Sequence, residues 1–344
     1  MKTFGHTGNA EVGGICNPET GKLETGNYLY AVQVSRNLSE FHPDKDTVVT
    51  IGTFDGVHLG HRRVIDQVKA TAARIGGESV LLTFFPHPRM VLFPKTEQLL
   101  LTTEEEKIAL LKEMGIDQLI IHPFTREFSM LSSGEFIEQI LVKGLRTKRL
   151  IIGYDHHFGK DREGSFENLK NSGPRWGFEV EEIPAREADN IKVSSTRIRQ
   201  ALARGEVEVA NNLLGYCYRL TGTVVKGQQL GRKLGYPTAN IISPEPYKLI
   251  PGNGVYAVNV LSAGRKFGGM LNIGVRPTVD GIHRTTEVNI FDFDADIYGE
   301  SLTIEFVKWV RAERKFAGLE ELKIQLAADK IAVQKIVNEE AGNK

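Results

Sequence analysis

Two kinds of apolar spacing divide the chain. Up to about residue 200, short β-branched or fully apolar runs alternate with stretches whose apolar residues recur every three or four positions. That alternation is the mark of strands and amphipathic helices in turn. Val48–Ile51, Ser79–Phe85, Asp117–Ile121, Arg149–Gly153 and Glu179–Ile183 read as five strands, with regular structure beginning near Tyr28–Val34. Val64, Ile65, Val68, Ala72 and Ile75 mark one face of a helix after the first of the five. Thr103 with Glu106 forms a capping box for a helix running to Met114, and Ser132-Ser-Gly-Glu135 opens another. Ser194 or Ser195 can cap a helix over Thr196–Arg204. Strands separated by helices predict a parallel α/β sheet with right-handed crossovers and a ligand at the strands' carboxyl ends.

After about Gly215 the crossover helices vanish and Gly and Pro multiply. Tyr218–Val225, Gly254–Val260, Phe267–Ile273 and Leu302–Phe306 recur between turns, which predicts an antiparallel β-barrel with a Greek-key path. A terminal helix from about Leu319, with the stripe Leu319, Leu322, Leu326, Val333 and Ile336, packs on it. Residues 1–27 carry no periodic apolar pattern and read as a disordered extension. The expected domains are therefore 28–215 and 216–344, with few contacts crossing the boundary.

The chain has 344 residues, with Lys+Arg and Asp+Glu both totalling 43. No net basic field points to nucleic acid or a membrane surface. No apolar run approaches the roughly 20 residues needed to span a bilayer, and Met1–Ala10 lacks a signal-peptide pattern. Two cysteines, Cys16 and Cys217, cannot build a disulfide framework. These features predict a soluble multidomain enzyme, cytoplasmic and with reduced thiols.

The chemistry gathers at the predicted strand ends. Val48–Ile51 leads through Gly52 and Gly56 into a helix start carrying His58 and His61. Three residues apart, both imidazoles can project from one turn, and the helix start adds unpaired N–H groups and a positive dipole. Gly60 between them lets a phosphate approach the backbone. Two histidines so placed favour a nucleoside triphosphate site over two structural imidazoles. Ser194 and Ser195, with Arg197 and Arg199, describe a second phosphate-type helix start. Asp155, His156 and His157 follow the fourth strand, but adjacent histidines point different ways and make a poor metal site.

The run Thr53-Phe-Asp-Gly-Val-His-Leu-Gly-His61 resembles the HxGH signature of the nucleotidyltransferases. With the Gly153-Tyr-Asp155 loop, the Ser194-Ser-Thr-Arg-Ile-Arg199 helix start and Phe85-Pro-His-Pro88, it is similar to the adenylyltransferase module of bacterial bifunctional riboflavin kinase/FAD synthetases. The resemblance implies a Rossmann-like fold with His58 and His61 catalytic. It implies nucleotide contacts at Gly52, Phe54, Gly60, Asp155, Ser194, Ser195, Thr196 and Arg197, and flavin contacts at Pro86 and Pro88. That loop more often reads Asp-Phe where this chain has Asp155-His156.

In the second half, Lys226–Asn240 holds a Gly-rich basic loop followed by Pro237-Thr-Ala-Asn240. No GxxxxGK[ST] run exists, so this is not a P-loop. Thr238 and Asn240 present oxygens suited to Mg²⁺. The segment resembles the riboflavin kinase module, implying ATP contacts at Gly231, Lys233 and Gly235 and flavin contacts at Arg276 and Arg311. Phosphorylating an alcohol calls for a general base, and Glu287 is the candidate, sharing a strand face with Asn289, Phe291 and Phe293. Asp292, Asp294 and Asp296 take the opposite, solvated face. The expected reactions are riboflavin to FMN in the barrel and FMN to FAD in the first module. ATP is the co-substrate of both, Mg²⁺ serves both, and the enzyme is a monomer or weak homo-oligomer. Two rivals are a chain with one decayed module and an adenylyltransferase fused to a nucleic-acid-binding barrel.

Overall fold

Six strands form the first layer of the computed structural model, which describes residues 32–153, 166–183, 193–227, 230–278 and 281–342. They are β1 (Gln33–Ser35), β2 (Thr47–Ile51), β3 (Glu78–Phe85), β4 (Gln118–Pro123), β5 (Thr147–Gly153) and β6 (Glu179–Ile183). Every pair is parallel, in the order β1-β4-β3-β2-β5-β6. Residues 28–31 of the first expected strand, and Asp155, His156 and His157, lie outside the described residues.

The sheet is buried on both faces, as continuous β-branched runs require. Val49 and Ile51 pack on one side with Phe136, Ile140 and Leu141. Val48 packs on the other with Val64, Val68 and Ala72. Those three belong to α1 (Leu59–Ile75), which Gly76 ends in a left-handed conformation. The short α2 (Pro88–Leu92) follows β3. The capping box of Thr103 and Glu106 is present and starts α3 (Glu104–Glu113). After the single turn α4 (Arg126–Ser129), the box of Ser132 and Glu135 starts α5 (Ser133–Phe136). α6 (Phe166–Trp176) precedes β6, and α7 (Ser195–Ala203) and α8 (Val207–Leu214) follow it. Strand order reverses between β2 and β5, so the turn leaving β2 opens at the switch point of the sheet.

The second half is a closed antiparallel barrel of β7 (Arg219–Val225), β8 (Ala239–Ile242), β9 (Gly254–Ser262), β10 (Arg265–Thr278), β11 (Gly281–Ile290) and β12 (Ser301–Arg311). Its order is β10-β11-β8-β7-β12-β9, with β9 closing on β10. The single turn α9 (Leu230–Lys233) precedes β8. The terminal α10 (Leu319–Gly342) covers an outer apolar patch of Val255, Ala257, Met270 and Phe291 with Val333, Leu326, Ile336 and Val337. Leu319 does not belong to that stripe, being 65% exposed. It opens the helix, before the axis has closed onto the barrel.

Two expectations are corrected. The boundary near 215 is not sparsely crossed: Leu101, Ile198, Leu202, Val207, Ala210 and Leu214 share one core with the barrel interior residues Val258, Leu271, Val288 and Phe306. The parity argument for Glu287 also fails beyond Ile290, where β11 ends and Asp292 turns to φ 52°. Val288 and Ile290 point into the barrel, Phe291 joins the patch beneath α10, and Phe293 packs edge-on against Phe267. Glu287 thus stands on the barrel's outer face rather than among its interior apolar residues.

Candidate active sites

The turn from β2 to α1 holds Phe54, Gly56 and Val57 at positive φ, of 46°, 83° and 36°. Such backbone persists only where its surroundings over-determine it. Here they do. The Thr53 carbonyl accepts from Thr83 Oγ1 and from Lys107 Nζ, each at 3.1 Å. The Asp55 carboxylate, 2% exposed, accepts from the N–H groups of Leu101 at 2.9 Å and Thr102 at 3.2 Å, and pairs with Arg199. The Tyr216 hydroxyl donates to the Gly56 carbonyl at 2.7 Å.

From this fixed turn, His58 caps α1, its Nδ1 accepting the His61 N–H at 3.3 Å. The two imidazoles stack with centroids 3.6 Å apart and planes 12° from parallel, and Phe54 lies 4.9 Å from His61. Gly60 leaves room for the stack, since a Cβ there would press the His58 ring at 3.2 Å. Gly52 has a similar reason: its Cβ would press the Phe54 ring at 3.1 Å. His61 Nδ1 is buried without a partner among the described residues. Burial first, then the neighbouring His58 and Lys107, holds His61 well below the ordinary 6.5. The imidazole is therefore uncharged at neutral pH.

The α7 start adjoins the same turn. Ser194 is the cap, accepting from the Arg197 N–H, while Ser195 Oγ donates to the Asp55 carbonyl at 3.0 Å. Arg199 is engaged by Asp55 and the Leu99 carbonyl, so it ties the two helix starts together rather than facing outward. Thr196 and Arg197 are exposed. Asp55, to which sequence reasoning gave no role, is the hub. Its acid-Gly pair inside the turn was the only available signal. Pro86 and Pro88 flank His87, which caps α2 and is itself buried. Beside α2 lies a cleft lined by Met90, Pro94 and Leu99, with Pro246 and Tyr247 from the barrel half.

The second constellation lies across the barrel. Strand register sets Asn240 of β8, Glu287 of β11 and Asn272 of β10 side by side. Thr238 Oγ1 lies 3.5 Å from Glu287 Oε2. Asn289 donates to the Pro237 carbonyl at 2.7 Å, fixing the segment that presents Thr238. Gly227 passes so close to Asn240 that a Cβ would meet its amide at 2.1 Å. The Tyr236 N–H closes onto the Gly231 carbonyl at 2.8 Å, and Gly235 has φ 83°. The Lys233 backbone ends α9, and Arg276 sits in β10 opposite His283. The Arg311 guanidinium is clamped on Asp329 of α10, with Nε–Oδ1 at 2.9 Å and Nη2–Oδ2 at 2.6 Å, so it docks the terminal helix. Thr238 and Asn240 offer hard, neutral oxygens, a donor set that fits Mg²⁺ held mainly by phosphates. Among the described residues no group of three His, Cys, Asp or Glu could hold a metal unaided.

A family model for FAD synthetase matches residues 40–197, and one for riboflavin kinase matches residues 214–337. The bifunctional riboflavin kinase/FMN adenylyltransferase of Pseudomonas fluorescens is 39% identical over 88% of this chain and 97% of its own length. Its counterpart in Escherichia coli K12 is 38% identical over 87% and 95%, and that of Listeria monocytogenes 42% identical over 83% and 91%. A crystal structure described as a macrolide-efflux protein from Streptococcus pneumoniae superposes with a TM-score of 0.81 at 34% identity, covering 88% of this chain and 99% of that one. Among the described residues no helix is long and apolar enough to cross a membrane. With both modules matched in order and relatives covered nearly end to end, the chain belongs to the bifunctional riboflavin kinase/FMN adenylyltransferase family.

Proposed function

We propose that the chain makes FAD from riboflavin in two ATP-dependent steps, residues 216–344 phosphorylating riboflavin and residues 28–215 adenylylating the resulting FMN. The observation that carries the first-module assignment is the stacked His58–His61 pair at the switch point, with a buried imidazole nitrogen awaiting a partner. The FMN phosphate, already ionised at pH 7, attacks the α-phosphorus of ATP. An O–P bond forms as the bond to pyrophosphate breaks. No base is needed, so catalysis reduces to alignment and to donors placed where charge grows. His58 and His61 supply those donors, Gly60 and the α1 start receive phosphate oxygens, and Ser194, Thr196 and Arg197 hold the departing pyrophosphate. Pro86 and Pro88 border the flavin.

In the barrel, Glu287 takes the proton of the terminal ribityl hydroxyl as its oxygen bonds to the γ-phosphorus and ADP leaves. Thr238 and Asn240 would hold Mg²⁺, which neutralises the phosphates when bound. The loop through Gly231, Lys233 and Gly235 lies over ATP, and Arg276 is a flavin contact by family resemblance. Incubation with riboflavin and Mg-ATP tests the reading: it expects FAD. FMN alone would leave only the kinase, and neither product would defeat it.

A further inference from the structure

The extended strap Leu99–Thr102 lies between the two halves of the chain and is hydrogen-bonded along both edges. Towards the first module, the N–H groups of Leu101 and Thr102 and the Thr102 hydroxyl all donate to the Asp55 carboxylate. Towards the barrel half, the Leu100 N–H donates to the Tyr247 carbonyl at 2.7 Å, and the Leu249 N–H to the Leu100 carbonyl at 2.9 Å. Between them, Lys248 Nζ donates to the Leu101 carbonyl at 2.7 Å and pairs with Glu106 at 2.5 Å. The same Glu106 carboxylate accepts from the Thr103 N–H and, from β7, the Thr221 N–H at 2.9 Å. The ammonium also lies 4.4 Å from the centroid of the Tyr218 ring. Lys248, Glu106 and Asp55 are 3%, 8% and 2% exposed.

We propose that Lys248, a residue of the barrel half, is a positioning residue for adenylyl transfer at the His58–His61 turn. The inference rests on the function assigned above to that turn. Leu101 is the pivot: its carbonyl is fixed by Lys248 and its N–H by Asp55. Asp55 lies between Phe54 and Gly56, inside the positive-φ segment that sets the imidazole stack. Buried networks of this kind hold one geometry because each group has nowhere else to bond. Losing the Lys248 donor frees the strap edge and lets Asp55 drift, and a shift of about 1 Å near a reacting centre costs up to about a hundredfold.

The test compares both reactions in the full-length protein. Lys248→Met should lower kcat for FAD formation from supplied FMN and ATP by about ten- to a hundredfold. Riboflavin phosphorylation by the same preparation should keep its kcat and KM. Because Lys248→Met leaves Glu106 buried without its cation, the double variant Glu106→Gln/Lys248→Met is measured alongside. It removes both charges but still lacks the donor to Leu101, so its FAD formation should stay equally slow with the kinase intact. Return of the double variant to the parental FAD rate would mean that Lys248 only neutralises Glu106, and the proposal falls. Equal loss of both reactions in the double variant overturns it too. The unsubstituted protein is the control for the underlying assignment: if it makes no FAD from FMN, the adenylyltransferase reading fails instead.

Discussion

The two sites reach precision by opposite routes. At the first, the backbone is bent into conformations that its residues avoid, and side chains from α3 and α7 with backbone N–H groups of the strap hold it there. Its chemistry needs donors, and it gathers imidazoles and a helix start. At the second, the backbone is ordinary strand, and register alone sets Asn240, Glu287 and Asn272 in a row. It sets one carboxylate, Glu287, between two amides, and that carboxylate is the base proposed above. A phosphate nucleophile arrives ionised and asks only for alignment, whereas an alcohol must lose a proton, and each module is built for what its nucleophile lacks.

The sharpest way to separate the two is Glu287→Gln, which keeps shape but removes the base. FMN formation should fall by about 10²–10⁴ while FAD formation from supplied FMN is untouched. Normal riboflavin phosphorylation would place the base elsewhere. His61→Ala is the mirror experiment: FAD formation should drop by about 10²–10³ as FMN accumulates. An unchanged FAD rate would end the claim that the imidazole stack carries that chemistry.

The buried surroundings of the first site also predict a pH dependence of stability. Burial takes His87 from 6.5 down to about 4. Between those values the unfolded chain binds a proton that the folded chain refuses. His87's contribution is therefore intact above 6.5 and is lost as pH falls towards 4, by about 3 kcal/mol. His87→Asn keeps a capping side chain but cannot titrate. Urea midpoints at pH 7.5 and 4.5 should lie closer together in His87→Asn than in the parent, and equal spacing would refute the assignment. The smallest effect concerns the helix beside the second site. Val333→Ala, at a fully buried position, should cost about 2 kcal/mol, while Leu319→Ala should change stability by less than about 0.5 kcal/mol. Comparable losses in thermal melts would return Leu319 to the packed stripe.

Local signals carried the sheet and both capping boxes, because spacing within one element is written in consecutive residues. Partners brought from afar were not legible. Asp55 meets Leu101 46 positions away and Arg199 144 positions away, and no periodicity encodes that. Arg311 read as a ligand by motif, yet Asp329 takes its fork. The face of Glu287 was misjudged for a different reason. A closed barrel capped by a helix has two apolar surfaces, one inside and one under α10, so alternation along β11 cannot say which is which. The helix α8 went unread because two turns ending at Gly215 resemble the tail of the preceding helix.

The shared core has a consequence for how the protein is born. Chains leave the ribosome N-terminus first, at about 5–20 residues per second. The helices α7 and α8 present Ile198, Leu202, Val207 and Leu214 to partners in strands not yet made. Asn211 waits longest among its bonds, for a carbonyl on Phe306, 95 residues downstream. For about 5–20 seconds the nascent chain therefore shows an uncovered apolar surface, the kind that holding chaperones grip, until the barrel closes beneath it.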